Sequence, residues 1–197
     1  MRLRAVCRGG FFAILLALGL SAGERKGLGQ EFNPALPLTH VDHAANSAWA
    51  EQQHYVVLVS LDGFRWDYAR RDHAAHLLAL GAAGVWAPEG MLPSFPSLTF
   101  PNHFTIVTGL YPEHHGLVAN YFYDPARGAR YGISDERSVE DGSWYGGTPL
   151  WSLAESKGMH TACLLWPGSE AEIAGYRPTW YAHFDSKTEA RDRKSVV

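Results

Sequence analysis

Tyr55-Val56-Val57-Leu58-Val59-Ser60-Leu61-Asp62-Gly63 is a short, almost unbroken apolar run that ends on an acidic residue and a glycine. A Val-rich run of this length, without alternation of polar and apolar residues, suits a strand buried on both faces, as in a parallel sheet. The Asp-Gly pair marks the loop that follows it. From Trp66 to Leu80, alanines, leucines and charges suit a helix closed by Gly81 or Gly84, and Val85 to Ala87 resumes an extended style. The stretch as a whole predicts a β-α-β unit.

Further along, Pro93, Pro96 and Pro101 punctuate the chain. Pro101 stands where proline is tolerated, in the first turn of a helix running roughly from Asn102 to Thr108, which Gly109 ends. A second unit has Thr148 as N-cap, Pro149 at the first helical position, a helix to about Lys157, Gly158 as stop and Thr161 to Leu165 as strand. Strands alternating with helices predict an α/β fold, with a largely parallel central sheet flanked by helices.

At 197 residues and 46% hydrophobic composition the chain is long enough for one domain, and disorder of the whole is excluded. A net charge of −3 and the lack of any Lys/Arg block exclude a nucleic-acid-binding surface, so phosphate chemistry has to come from a local site. Residues 1–23 read as a signal peptide: Arg2, Arg4 and Arg8, then the apolar run Phe11 to Leu20, then Ser21, Ala22 and Gly23. That run is well short of the roughly 20 residues a membrane-spanning helix needs, so no stable span is expected after cleavage and the protein is expected to be secreted or periplasmic. Residues 24–53 read as a leader without periodicity, and 54–197 as the N-terminal part of a catalytic domain. The polar stretch Ser186 to Val197 finishes no element, which is the basis for expecting a truncated domain. Cys7 would leave with the signal, and Cys163, in the apolar stretch Ala162 to Leu165, reads as a structural thiol.

Two residues stand where chemistry is favoured. Asp62 ends the first strand, and in open α/β sheets ligands gather beyond the carboxyl ends of strands; taken alone, though, an Asp before Gly is a turn residue. Thr99, in Ser97-Leu98-Thr99-Phe100-Pro101-Asn102-His103, precedes the proline-started helix, whose unpaired N–H groups and dipole favour an anion. A threonine hydroxyl is a poor nucleophile at neutral pH and needs a base or a metal such as Zn²⁺; without one, Thr99 reads as a helix cap.

Several ordered motifs now accumulate. Val59-Ser60-Leu61-Asp62-Gly63-Phe64-Arg65 is followed by Thr99-Phe100-Pro101-Asn102-His103 and by Thr108-Gly109-Leu110-Tyr111-Pro112-Glu113 with His115-Gly116. Asn120 with Tyr123-Asp124-Pro125, and then Trp166-Pro167-Gly168-Ser169-Glu170, complete the set. Over residues 55 to 184 the chain resembles the nucleotide pyrophosphatase/phosphodiesterase (type I phosphodiesterase) family of the alkaline phosphatase superfamily.

The resemblance implies that Asp62 is a metal ligand, and that Thr99 is the nucleophile, contacts metal and becomes transiently phosphorylated. It implies that the amide of Asn120 steadies a non-bridging phosphate oxygen, and that Phe100, Trp166 and Pro167 shape the substrate pocket, with Phe184 stacking on a base. Two Zn²⁺ ions are the implied cofactors, and a small-molecule phosphodiester or nucleotide is the implied substrate. The remaining Asp and His ligands of the family lie downstream, so the chain by itself is expected to be inactive. A phosphomonoesterase or phosphonate hydrolase of the same superfamily, or a non-catalytic remnant, are the competing readings.

The ten histidines are not counted as a metal site. His73 and His76 suit a solvated helix face, His103 and His115 suit loop support, and Arg65 with Asp67 suits a surface ion pair. No G-x-x-x-x-G-K or G-x-G-x-x-G motif is present, which argues against ATP-driven or dinucleotide chemistry.

Overall fold

The computed structural model describes residues 37–183 and, as backbone only, the strand Phe12–Leu18. The rest of the expected signal peptide, Phe184 and the polar C-terminal stretch lie outside the described residues. In chain order the elements are β1 (Phe12–Leu18), β2 (Leu38–His40), β3 (Tyr55–Leu61), α1 (Tyr68–Arg71), α2 (Ala75–Ala83), α3 (Thr99–Thr108) and α4 (Pro112–His115). They continue with β4 (Tyr121–Asp124), β5 (Ala129–Gly132), α5 (Glu136–Val139), α6 (Leu150–Glu155), β6 (Ala162–Leu164) and β7 (Trp180–Ala182). Contacts separate two compact units, one of residues 54–97 with β1, the other of residues 37–53 with 98–183.

In the first unit β3 forms where the apolar run predicts it, but its pairing and burial differ from expectation. It pairs antiparallel with β1, Phe12 opposite Leu61 and Leu18 opposite Tyr55. None of its residues is buried, and Tyr55 is 74% exposed. The β-α-β unit does not close, because residues 85–87 form no strand and Val85 is fully exposed. A parallel partner needs such a second strand after the crossover.

The single helix expected from Trp66 to Leu80 is two helices. His73, at φ 53°, takes the left-handed conformation between α1 and α2, and the Ala74 N–H reaches back to the Ala69 carbonyl at 2.9 Å. Gly81 does not stop the helix; it lies inside α2, where a side chain would collide with the Trp86 ring. Gly84 is the C-cap.

In the second unit β7 is the central strand of a three-stranded sheet, antiparallel to β2 and parallel to β6. The segment expected as a leader therefore contributes a strand, Leu38–His40. β4 and β5 form an antiparallel hairpin. Helix α6 starts one position later than expected, with Pro149 rather than Thr148 as its N-cap, and ends at Glu155.

The core is aromatic. Phe104 is fully buried and meets Tyr145 at 5.2 Å between ring centroids, while Tyr131 stacks on Phe122 at 5.2 Å and meets Trp144 at 5.6 Å. Such pairs add roughly 0.5–1.5 kcal/mol each beyond the area they bury.

One buried carboxylate ties the sheet to its flank. Glu155 Oε1 accepts the N–H and hydroxyl of Thr161 at 2.8 and 2.7 Å, and those of Thr179 at 2.9 and 2.8 Å. Its other oxygen meets His43 Nδ1 at 2.7 Å. Burial raises the Glu155 pKa, but the bonds from Thr161, His43 and Thr179 outweigh it, so the group stays below its ordinary value.

Candidate active site

Helix α3 starts earlier than the proline predicts. Thr99 is its first residue, preceded by Leu98 in extended conformation, and Pro101 sits third, where its missing N–H is one the first turn leaves unpaired anyway. Gly109, at φ 71°, ends the helix as expected. Leu98 has no side chain that can cap the first turn, so those N–H groups need acceptors from elsewhere.

Asn120 supplies one. Its Oδ1 accepts the Phe100 N–H at 3.0 Å, and its own carbonyl accepts the Ile133 N–H at 3.1 Å, at the base of the β4–β5 hairpin. Because a backbone N–H can only donate, the amide must turn its oxygen to the helix, which directs Nδ2 away as a donor. The Phe100 ring lies 6.3 Å from that of Tyr131.

Trp166 reaches the same helix from the segment after β6. Its Nε1 donates to the His103 carbonyl at 3.2 Å, and the two rings meet edge-on at 5.4 Å. Pro167 is buried beside it, and Gly168, at φ 88°, turns the chain so that Ser169 N–H donates to the Trp166 carbonyl at 2.9 Å. Thr99 and Phe100 thus begin α3, and Asn120 and Trp166 hydrogen-bond to that helix from elsewhere in the chain. Asp62 belongs to the other unit, where it is exposed at the carboxyl end of β3, beside Gly63 at φ 68°.

The residues set aside earlier behave as structural groups. Arg65 and Asp67 form a bidentate, exposed pair at 2.5 and 2.7 Å. His115 is fully buried, its Nδ1 accepting the Leu117 N–H at 3.2 Å while Nε2 meets Thr105 Oγ1 at 3.1 Å, and burial lowers its pKa. Cys163 is half-buried, and burial, with the nearby Glu155 charge, pushes its thiol up to about 12.

Sequence reasoning gave no role to Glu136, Glu140 and His183, whose ligand atoms lie within 4.8 Å of one another. His183 Nδ1 is shared between Glu140 at 3.1 Å and Glu170 at 3.0 Å, the pattern of an ion-paired cluster.

The family model for type I phosphodiesterase / nucleotide pyrophosphatase matches residues 56–197. The chain belongs to this family. An uncharacterized pyrophosphatase/phosphodiesterase of Schizosaccharomyces pombe is 46% identical over 146 residues, which is 74% of this chain and 30% of that protein. Human ectonucleotide pyrophosphatase/phosphodiesterase family member 1 is 36% identical over 143 residues, 72% of this chain and 15% of that one. Among solved structures, murine ectonucleotide pyrophosphatase/phosphodiesterase 5, in an inactive threonine-to-alanine form in complex with AMP, superposes with a TM-score of 0.61 at 30% identity. That match covers 68% of this chain and 36% of the murine one, so the α/β fold is shared, and shared only with a part of its relative. The phosphodiesterase motifs of this chain all lie within the matched residues.

Proposed function

We propose that the protein is an exported, zinc-dependent hydrolase of phosphodiester or pyrophosphate bonds in nucleotides or related small molecules, acting through a phosphorylated or nucleotidylated Thr99. The observation that carries this reading is the Asn120 bond to Phe100 N–H at 3.0 Å, which ties the Asn120 amide to the first turn of the helix that Thr99 begins. Thr99 attacks phosphorus in line, so that the bond to the leaving alcohol or phosphate breaks as the threonyl ester forms and the hydroxyl proton goes to solvent or the leaving group; Asn120 Nδ2 donates to a non-bridging oxygen, and Phe100, Trp166 and Pro167 border the pocket. Phe184 is assigned to base stacking by the family resemblance alone. Water then cleaves the threonyl ester.

Asp62 and Thr99 are the inferred ligands to two Zn²⁺. The Asp62 carboxylate is a donor of the kind zinc takes, and the Thr99 oxygen would become one on losing its proton. When bound, the metal lowers the pKa of a hydroxyl and neutralises developing charge. The murine neighbour, inactive in its threonine-to-alanine form and in complex with AMP, supports a threonine nucleophile and a nucleotide substrate. The basic, apolar and small-residue order of residues 1–23 supports export, and no helix among the described residues is long and apolar enough to cross a membrane.

The test uses the protein expressed from its full reading frame. It should cleave a nitrophenyl ester of thymidine monophosphate far faster than nitrophenyl phosphate, and acid-quenched samples should carry a nucleotidyl mass on the Thr99 peptide. Thr99→Ala should lose both signals while keeping its circular dichroism. Preference for the monoester would assign the protein to the phosphomonoesterases, and full turnover by Thr99→Ala would remove the nucleophile.

A further inference from the structure

The imidazole of His103 touches the nucleophile's helix turn and the pocket wall together. Its Nδ1 lies 2.7 Å from the Thr99 carbonyl. A carbonyl only accepts, so Nδ1 carries the proton. In an α-helix that carbonyl already takes the main-chain N–H four residues on, so the imidazole adds a second donor to the peptide that carries Thr99. The same ring meets the Trp166 indole edge-on at 5.4 Å, and the indole N–H returns to the His103 carbonyl at 3.2 Å. The residue is 5% exposed.

We infer that His103 is a positioning residue: it clamps the Thr99 peptide to Trp166, so that the attacking hydroxyl and the wall of the substrate pocket move as one piece. The inference rests on Thr99 being the nucleophile. It differs from ordinary core packing because a polar histidine is buried here with its N–H committed to the residue that reacts. Its carbonyl and ring are committed to a residue that binds substrate. A displacement of about 1 Å in such a pair can cost about 100-fold in rate.

His103→Asn keeps an N–H donor near the Nδ1 position, whereas His103→Leu keeps volume and loses the donor. In the protein expressed from its full reading frame, with the thymidine nitrophenyl ester, His103→Leu should lower kcat by roughly 10- to 100-fold with KM within about twofold, and His103→Asn should recover most of kcat. If the Leu variant does not fold, His103→Phe retains a ring against Trp166 and replaces it. Independently of turnover, deuterium exchange of the Trp166 indole N–H, followed by NMR, should speed up by about tenfold without the donor and return towards wild type in the Asn variant. Unchanged exchange in the donor-less variant, or an Asn variant as slow as Leu, would overturn the inference. If Thr99→Ala retains turnover the nucleophile reading fails on its own, and the exchange rates still decide whether His103 holds Trp166.

Discussion

Asn120 Oδ1 accepts the N–H of Phe100 at 3.0 Å, so a residue at the foot of the β4–β5 hairpin caps a helix that begins twenty-one positions earlier. The bond settles which end of the amide faces α3 and leaves the other end to donate.

Replacing that amide separates its two duties. Asn120→Asp keeps an acceptor for Phe100 but loses the donor and adds a negative charge, so the fold should be kept while turnover by the full-length protein falls by about 100-fold or more. Asn120→Ala loses both, and urea denaturation should show a further loss of about 1 kcal/mol. Wild-type kcat in Asn120→Asp would contradict the donor role.

Acid should unfold the second unit in two stages. His115 has its folded-state pKa lowered by burial, so the unfolded chain takes up a proton first and stability declines as pH falls below about 6.5. Glu155 also has a lowered pKa, because its hydrogen bonds outweigh burial, so its stabilisation is present above about pH 4.3 and is lost as pH drops through the folded-state value. Melting temperature measured from pH 8 to 3 should fall gently, then steeply, and Glu155→Gln should remove the steep part. At pH 7, Glu155→Ala leaves its donors and His43 without an acceptor and should cost about 3–5 kcal/mol.

Two glycines with positive φ should respond differently to alanine. A Cβ at Gly168 would meet the Phe104 and Tyr145 rings, each at 3.1 Å, whereas nothing lies within 4 Å of one at Gly109. Gly109→Ala should cost only the left-handed backbone penalty of about 1–2 kcal/mol. Gly168→Ala adds about 1–3 kcal/mol of overpacking and should shift Trp166, visible in its indole resonance. Equal denaturation midpoints for the two variants would refute this difference.

Cys163 should resist alkylation. With its thiol pushed up to about 12, the reactive thiolate is scarce at pH 8, and iodoacetamide labelling of its peptide should run at least about 100-fold slower than for free cysteine until the protein is unfolded.

Much of the local structure was legible because it depends on near neighbours. Valines in an unbroken run make β3, Gly109 ends α3, and Thr161 to Leu165 contains β6. The break at His73, the interior place of Gly81 and the absent strand at 85–87 were not legible, because each depends on what packs against the segment: Gly81 is small to admit Trp86. Within the site, the motifs marked Thr99, Phe100, Asn120 and Trp166, while the clamp through His103 had only the four-residue spacing from Thr99 as a signal.

What the amino-acid order determined by itself is several of the short elements, the family and the residue types that carry the chemistry, since propensity, capping and motif spacing act over a few residues. Only the tertiary structure decided which amide caps α3, that Trp166 bonds to a helix 63 positions before it, and that Glu155 gathers His43 from 112 positions away. Such partners are chosen by the need to satisfy buried donors and acceptors once the chain has packed, and no local pattern encodes which distant atom will meet that need.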